Sequence, residues 1–385
     1  MSFGKIGTLR DYHSRTTLVD SLLQRQRRAH LDRRLLFVYK DVDATDHQLY
    51  ALLNHLRTFA GVSILRFTAA ERPRTDPARS TAKLRRAVAS FEPQIVLVYN
   101  NILSIEEVDF IKERGVRLAS MTSGVASFTW GAPPEVTQQQ IVDRIRVHDW
   151  YFVPHAPHVP ILRAEGVNAI ELSHWFEPAW FRPLDLPPEH DVLFVGDLDN
   201  PLNRGRRALI ESLSQQFDVM VMSAGSAPSR VRRLAPTSNP HALNRLLNQA
   251  KLVLGSDLLF DTSALNSLPG QYLRYEDTFF IRQRTFMSLG AGACYLVEAH
   301  PEATRLFEPG CDIVLWRDQT DLRDDIARLL ADHATRKAIG AAGARRAHAE
   351  YTTATRIRTM FDYFGVHHGL KLEVDWLKRS SDQTV

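Results

Sequence analysis

The sequence predicts an α/β protein in which two Rossmann-like domains face each other across a cleft. Short segments rich in Val, Ile and Leu alternate with segments of helical periodicity, which is typical of a parallel sheet covered by helices on both faces. The chain has 385 residues, which is more than a single hydrophobic core usually organises. A segment with four prolines, residues 176–190, separates two such series of elements.

The first series predicts a domain that covers residues 34–180. Its predicted strands, in chain order, are 35–39, 62–67, 95–99, 116–121, 150–153 and 168–172. Its predicted helices are 49–56, where leucines recur at helical spacing, 82–91 and 106–114. Residues 1–33 are polar and helix-prone, and we expect them to form a helical N-terminal lead-in.

The proline-rich connector predicts the domain boundary, because proline fits neither helix interiors nor central strands. The second domain then covers residues 181–350, and residues 351–385 form C-terminal helices and a charged tail. The predicted strands of the second domain are 191–195, 219–223, 252–255, 293–297 and 313–316. Its predicted helices are 206–213, 241–248, a helix that carries Arg282 and Arg284, and one whose start Thr320 or Asp321 could cap.

The composition is that of an ordinary globular protein, with 44% hydrophobic and 24% charged residues. No apolar run approaches the roughly 20 residues that cross a bilayer. The N-terminal residues also lack the apolar stretch of a signal peptide, so we expect a cytoplasmic protein. Two cysteines, Cys294 and Cys311, cannot form a disulfide framework, and we expect both to be buried core thiols.

Basic residues are scattered along the chain except in the run from Arg25 to Arg34. This run predicts a solvated amphipathic helix, with peripheral contact with an anionic membrane surface as the alternative. No aromatic-and-basic strand pattern accompanies it, so we do not expect nucleic acid as a partner.

Signatures of several enzyme classes are absent from the sequence. There is no Gly-x-Ser-x-Gly elbow, no Walker loop and no Gly-x-Gly-x-x-Gly fingerprint, which disfavours hydrolase, ATPase and dinucleotide-dependent dehydrogenase functions. The 15 histidines form no zinc-ligand pattern. Asp197 and Asp199 spell a DxD motif, which can hold a divalent ion on a diphosphate, but for so short a motif we favour loop and helix-cap roles. We therefore expect no metal.

Residues 277–315 combine a helix with two arginines, a break of small residues, a buried strand and an acidic turn. Arg side chains and a helix N-terminus both favour anions, such as the diphosphate of a nucleotide sugar, which carries about two negative charges. Arg282 and Arg284 stand two positions apart, so on a helix they point about 200° from each other and only one can face a cleft squarely. We favour phosphate contact for Arg284, with a structural salt bridge as the alternative.

Other candidate residues for binding such a diphosphate follow predicted strands of the second domain. Gly196 would let the backbone approach a phosphate closely, and Arg204 beyond it could clamp that phosphate. Ser223 and Gly225 end the next strand with small residues, which suit the floor of a nucleotide site or an ordinary turn.

Sugar recognition and catalysis have fewer candidates. Glu298 ends a predicted strand and could bind hydroxyl groups of a sugar or ribose, whereas Pro301 favours a plain helix start at this point. Candidate general bases lie in the first domain, namely His155, Asp41 and Asp43. For His155 a loop role is the alternative.

Several segments resemble those of the CgeB-type glycosyltransferases, which have the GT-B fold and are related to the group 1 glycosyltransferases. The matching segments are DVLFVG (191–196) with the arginines that follow, RTFMSLGAGACYLVEA (284–299), FEPGCDIVLW (307–316) and ATRKAIGAAGARRAHAEYTTATRIRTMF (334–361). The resemblance implies a metal-independent glycosyltransferase that needs no cofactor. It would move a sugar from a nucleotide-diphosphate sugar, bound by the second domain, to an unknown glycan, protein or small-molecule acceptor.

Met287 stands where the resembled family has a glutamate in its Arg-x-Phe-Glu motif. The resemblance implies that this glutamate binds hydroxyl groups of the donor. A thioether accepts hydrogen bonds poorly, so donor recognition would shift, for instance to Glu298. The alternative is a non-catalytic protein on the same scaffold, which binds a nucleotide sugar or serves as a partner subunit.

Overall fold

The computed structural model describes residues 29–41, 46–68, 70–71, 81–100, 102–122, 138–199, 204–256 and 281–368. The strands of these residues form two sheets of six strands each. Every pair of neighbouring strands is parallel. The predicted fold class, α/β with two parallel-sheet domains, is confirmed.

The first sheet has the strand order β2-β1-β3-β4-β5-β6. Its strands are β1 (Ala29–Lys40), β2 (Phe59–Phe67), β3 (Ile95–Tyr99), β4 (Arg117–Met121), β5 (Trp150–Val153) and β6 (Ala169–Glu171). The helices described beside it are α1 (His47–Leu56), α2 (Thr81–Phe91), α3 (Ile105–Lys112), α4 (Gln138–Arg146) and α5 (His158–Ala164). All residues of β3 and β5 are buried, because side chains on both faces of these inner strands are covered.

β1 starts before the predicted strand and pairs with β2 from its first residue. The helical interpretation of residues 29–34 is therefore wrong, both for the lead-in and for the basic run, whereas residues 1–28 lie outside the described residues. Tertiary contacts explain the strand. Leu31 is buried in the core, and the Arg33 guanidinium donates to the carbonyl oxygen of Phe364 at 3.4 Å.

The second sheet has the strand order β12-β11-β10-β7-β8-β9. Its strands are β7 (His190–Val195), β8 (Val219–Met222), β9 (Arg232–Leu234), β10 (Ala250–Leu254), β11 (Tyr295–Glu298) and β12 (Val314–Trp316). The helices that follow along the chain are α6 (Arg204–Leu213), α7 (Pro240–Asn248), α8 (Gln283–Gly290), α9 (Pro301–Leu306), α10 (Gln319–Ala331), α11 (His333–Glu350) and α12 (Thr353–Phe364). Asp318 caps α10 in place of the predicted Thr320 or Asp321, because its carboxylate accepts from the backbone N–H groups of those two residues.

The order of the second sheet reverses at β7. The chain continues from β7 to β8 and β9 on one side, and then returns to β10, β11 and β12 on the other. The crevice beyond the carboxyl ends of β7 and β10 is therefore a topological switch point, where open α/β sheets bind their ligands.

More residues of the connector are buried in the core than the sequence predicts. Phe176 and Phe181 are both buried in the core of the second sheet, although few core positions were expected between residues 176 and 190. The Phe176 N–H donates to the Tyr351 carbonyl oxygen at 3.1 Å. After Tyr351 the chain returns to the first sheet, where the ring of Phe361 on α12 lies 5.3 Å from that of Phe59.

The two cysteines differ in their surroundings. Cys294 is buried, as expected, and burial raises the pKa of its thiol to about 12. Cys311 is exposed, so the core role expected for it is wrong. It follows Gly310, whose φ of 76° is left-handed, and such a turn lies at the surface.

Within the described ranges, no helix is both long and apolar enough to cross a membrane.

Candidate functional site

Arg284 lies at the switch point of the second sheet. It stands in the first turn of α8, and its Nη1 and Nη2 donate to the carbonyl oxygens of Val195 (2.8 Å) and Ser256 (3.0 Å). Val195 ends β7 and Ser256 follows β10, so one guanidinium joins the ends of the two strands. Gly196 leaves room for this guanidinium, since a Cβ at this position would stand 2.5 Å from Nη1 of Arg284.

A second arginine, Arg206 on α6, also binds Ser256 beyond the end of β10. It is 3% exposed, and it donates to both the hydroxyl (3.2 Å) and the carbonyl oxygen (2.7 Å) of Ser256. Arg204, the arginine predicted to clamp a phosphate, starts α6, but its side chain lies outside the described residues. Two guanidinium groups therefore give the end of β10 a strongly positive environment.

Arg282 is the N-cap residue of α8 and has an extended backbone, with φ of −87° and ψ of 158°. The predicted angle between Arg282 and Arg284 on one helix is therefore wrong, because Arg282 precedes the first helical turn. Its charge contributes to lowering the pKa of two histidines of the first domain, His155 and His174. Arg282 thus brings a positive charge from the second domain to the first.

His155 belongs to a cluster of three buried histidines beyond the carboxyl ends of β5 and β6. Its ring lies 5.4 Å from that of His174 and 5.5 Å from that of His158. Burial is the largest cause that lowers their pKa values, to about 3 for His174 and about 4 for His158, and well below the ordinary range for His155. At neutral pH these imidazoles are uncharged and suited to hydrogen bonding, whereas a low pKa makes His155 a weak general base.

Asp41 does not join this cluster. Its carboxylate forms a bidentate pair with Arg66, with both N–O distances 2.7 Å. Asp41 follows β1 and His155 follows β5, three strand spacings away, which corresponds to about 14 Å. The structure therefore does not bring these two candidate bases together, and Asp43 lies outside the described residues.

Ser223 and Gly225 lie where the loop after β8 meets the loop after β7. The Ser223 hydroxyl accepts from the Leu198 N–H at 3.4 Å, and a side chain at Gly225 would collide with the carboxylate of Asp199. Asp197 accepts from the Asp199 N–H at 2.9 Å. Among the described residues, no three His, Cys, Asp or Glu side chains come together as metal ligands could.

Glu298 ends β11 beside Trp316 of β12 and is 4% exposed. The helix start expected at Pro301 is also present, since Pro301 is the first residue of α9 and His300 caps it. Met287 is 8% exposed and packs in the apolar core of the second domain. It lies three residues after Arg284 on α8, which places it on the same side of the helix.

The two domains also contact each other directly through charged side chains. Arg305 on α9 pairs with Glu171, the last residue of β6, and with Glu302 on its own helix. His55 on α1 pairs with Glu177 of the connector, with 2.8 Å between Nε2 and Oε2. The Arg305–Glu171 pair brings the carboxyl end of β6 against α9 of the second domain, and the His55–Glu177 pair holds the connector against α1.

The sequence of the second domain is similar to a known protein family. Residues 204–362, most of the second domain and part of α12, match the family described as Glycosyl transferase-like. No curated protein sequence matches the chain.

Three solved structures illustrate the similarity in fold. Sucrose-phosphate synthase from Thermosynechococcus elongatus is 12% identical with a TM-score of 0.61, over 86% of this chain and 98% of that one. A glycosyltransferase from Rickettsia africae ESF-5 is 8% identical with a TM-score of 0.60, over 87% and 98%. Anabaena Alr3699/HepE in complex with UDP is 13% identical with a TM-score of 0.57, over 86% and 99%. At these identities the similarity concerns the fold, which is the two-domain GT-B fold.

Proposed function

We propose that the protein is a glycosyltransferase of the CgeB type, which moves a sugar from a nucleotide-diphosphate sugar to an acceptor. The observation that carries this proposal is the position of Arg284, whose guanidinium spans the carboxyl ends of β7 and β10 beside Gly196. The family match and the UDP-bound Anabaena structure of the same fold support it. The cytoplasmic location predicted from the sequence stays a prediction.

The donor diphosphate would lie at the switch point of the second domain. Negative charge grows on the diphosphate as its bond to the anomeric carbon breaks, and positive groups fixed in advance stabilise that charge. Arg284, Arg206 and the N-terminus of α8 supply such groups here. The protein itself would supply this stabilisation, without a metal ion or a cofactor.

The acceptor would bind to the first domain, beyond the carboxyl ends of β4 to β6. The neutral imidazole of His174 suits a hydroxyl group, because its Nδ1 donates to Gln48 Oε1 at 2.8 Å, which leaves Nε2 as a hydrogen-bond acceptor beside the His155 ring. Closure of the two domains would exclude water, which otherwise competes with the acceptor for the sugar. A glycan, a protein and a small molecule all stay open as acceptors.

A second function has one specific observation in its favour. Met287 lies in the apolar core of the second domain, at the position where the resembled family has a hydroxyl-binding glutamate. A protein that lacks this group could bind a nucleotide sugar without transferring it. The alternative is therefore a non-catalytic binding protein or partner subunit on a GT-B scaffold.

Calorimetric titration with UDP, GDP, ADP and dTDP, followed by a turnover assay, separates these functions. The turnover assay uses the sugar donors of whichever nucleotide binds and measures release of the nucleoside diphosphate. Binding with release supports the glycosyltransferase. Binding without release, for every donor and acceptor tried, supports the non-catalytic alternative, and no binding of any nucleotide contradicts both.

A further inference from the structure

The carboxylate of Asp199 joins two loops at the carboxyl edge of the second sheet. Its Oδ2 accepts from the Ser226 N–H at 2.6 Å, and its Oδ1 accepts from the Ser226 hydroxyl at 3.1 Å. Asp199 belongs to the loop after β7 and Ser226 to the loop after β8. The Asp199 side chain therefore joins these two loops, the first of which begins with Gly196, in addition to the bond between Leu198 and Ser223.

Arg207 completes the connection from α6. Its Nη2 donates to the Asp199 carboxylate, to the Ser226 hydroxyl at 2.8 Å and to the Ser226 carbonyl oxygen at 3.1 Å. Its neighbour Arg206 donates instead to Ser256 beyond β10. Consecutive residues of α6 thus tie the loops on both sides of β7 to one helix.

Gly225 shows that this arrangement is tightly packed. A Cβ at residue 225 would fall inside the Asp199 carboxylate, so this loop can approach Asp199 only with glycine at this position. The pair itself is partly solvated, with side chains 34% exposed for Arg207 and 40% for Asp199. Ion pairs with that much exposure contribute little to the free energy of folding.

We propose that Asp199 is a positioning residue, which holds the loops after β7 and β8 in the arrangement that the donor diphosphate requires. This inference rests on the proposed function of the site. Fixing the loops before binding lowers the conformational entropy lost when the nucleotide binds, so the benefit falls on affinity rather than on stability.

The hydrogen bonds of Asp199 also argue against the metal-binding role that the DxD motif has in other proteins. A carboxylate offers about four acceptor positions, and Ser226 and Arg207 use most of those of Asp199. Arg207 also balances its negative charge. The carboxylate oxygens of Asp199, which could otherwise bind a metal, thus accept hydrogen bonds from Ser226 and Arg207.

The test compares Asp199→Ala, Gly225→Ala and the control Asp321→Asn by calorimetric titration, with and without Mg²⁺. The probe is the nucleoside diphosphate that binds the wild-type protein in the panel above. Asp321 pairs with Arg317 on the exposed side of α10 in the same domain, which makes it a matched ion-pair control. We expect Asp199→Ala and Gly225→Ala to weaken binding by about 10-fold each, equally with and without Mg²⁺, and Asp321→Asn to leave it unchanged.

Each other outcome overturns the inference. Unchanged binding in Asp199→Ala, with Tm and circular dichroism like those of the wild type, removes Asp199 from any positioning role. A loss seen only with Mg²⁺ assigns Asp199 to a metal site, and a loss that follows a lowered Tm assigns it a merely structural role. Absence of binding by the wild-type protein contradicts the proposed function itself, which keeps the two failures distinct.

Discussion

The guanidinium of Arg284 fills the space in front of Gly196, where a Cβ would stand 2.5 Å from its Nη1 atom. The two residues come from different parts of the sequence, one from α8 and one from the turn after β7. Their contact places a fixed positive charge beside a bare backbone segment at the switch point. Close backbone approach and positive charge are the two properties that a diphosphate site needs.

Replacing Arg284 by Ala should weaken binding of the nucleoside diphosphate by about 1.5 to 3 kcal/mol, roughly 10- to 150-fold. The variant removes the charge and also the two bonds to the Val195 and Ser256 carbonyl oxygens. Calorimetric titration measures the affinity, and thermal unfolding checks the fold. Arg317→Ala is the control, since that side chain is 80% exposed on the same domain. Equal affinity of a folded Arg284→Ala variant and the wild type would exclude Arg284 from the site.

Adding one methyl group at residue 196 should have nearly the same effect. In Gly196→Ala the new Cβ displaces the guanidinium, so Arg284 can no longer reach the Val195 carbonyl oxygen. Because both changes disrupt one contact, the loss of affinity in the double variant Gly196→Ala/Arg284→Ala should be smaller than the sum of the two single losses. Titration of the three variants gives this comparison. Additive losses would show that Gly196 acts independently of Arg284.

The pair between His55 and Glu177 should make stability depend on pH. Burial lowers the pKa of His55, but the charge and hydrogen bond of Glu177 outweigh it and leave that pKa above its ordinary 6.5. The pKa of Glu177 is lowered from 4.5: burial opposes this shift, and the charge of His55 drives it. The His55 contribution is complete below pH 6.5 and is lost as pH rises through its raised pKa. The Glu177 contribution is present above pH 4.5 and is lost as pH falls through its lowered pKa.

The two contributions are therefore both present between about pH 4.5 and 6.5. The difference in Tm between the wild type and Glu177→Gln should be largest in this window and smaller at pH 8.5 or above. Glu92→Gln, which removes an exposed pair with Arg34, should change Tm little at any pH. A Tm difference for Glu177→Gln that stays constant across the whole range would refute the assignment.

The two cysteines should differ in reactivity with a thiol reagent such as dithionitrobenzoate. Cys311 is exposed, whereas Cys294 is buried and burial raises the pKa of its thiol to about 12. The native protein should therefore react at one thiol, and the unfolded protein at both. Cys311→Ser should abolish the reaction of the native protein. Rapid labelling of that variant would mean that the strand β11 and its surroundings pack differently.

Strands that are buried on both faces were predictable, because their sequences are uninterrupted runs of apolar or aromatic residues. The predicted bounds of β3 and β5 agree with the structure, since IVLVY and WYFV contain only apolar or aromatic residues. β9, residues Arg232–Leu234, was missed because all three residues of this edge strand are exposed and none carries a core pattern. The N-terminal extension of β1 was missed for a similar reason, since its partners lie in β2 and near Phe364.

The candidate site was predictable in its position but not in its contacts. A glycine after a strand and an arginine in a later helix pointed to Gly196 and Arg284, and topology places them together. The segment RGRR offers Arg204, Arg206 and Arg207 equally, and only the rotation of α6 against the sheet decides that Arg206 faces Ser256. The role of Asp199 depends likewise on a loop that lies 27 positions away in the sequence.

A crystal structure with the bound nucleoside diphosphate tests the central claim most directly. The diphosphate should lie beyond the carboxyl ends of β7 and β10, between the backbone at Gly196 and the N-terminus of α8. Arg284 should then be within hydrogen-bond distance of a phosphate oxygen. A diphosphate bound elsewhere, or one at the switch point with no contact with Arg284, would contradict the account.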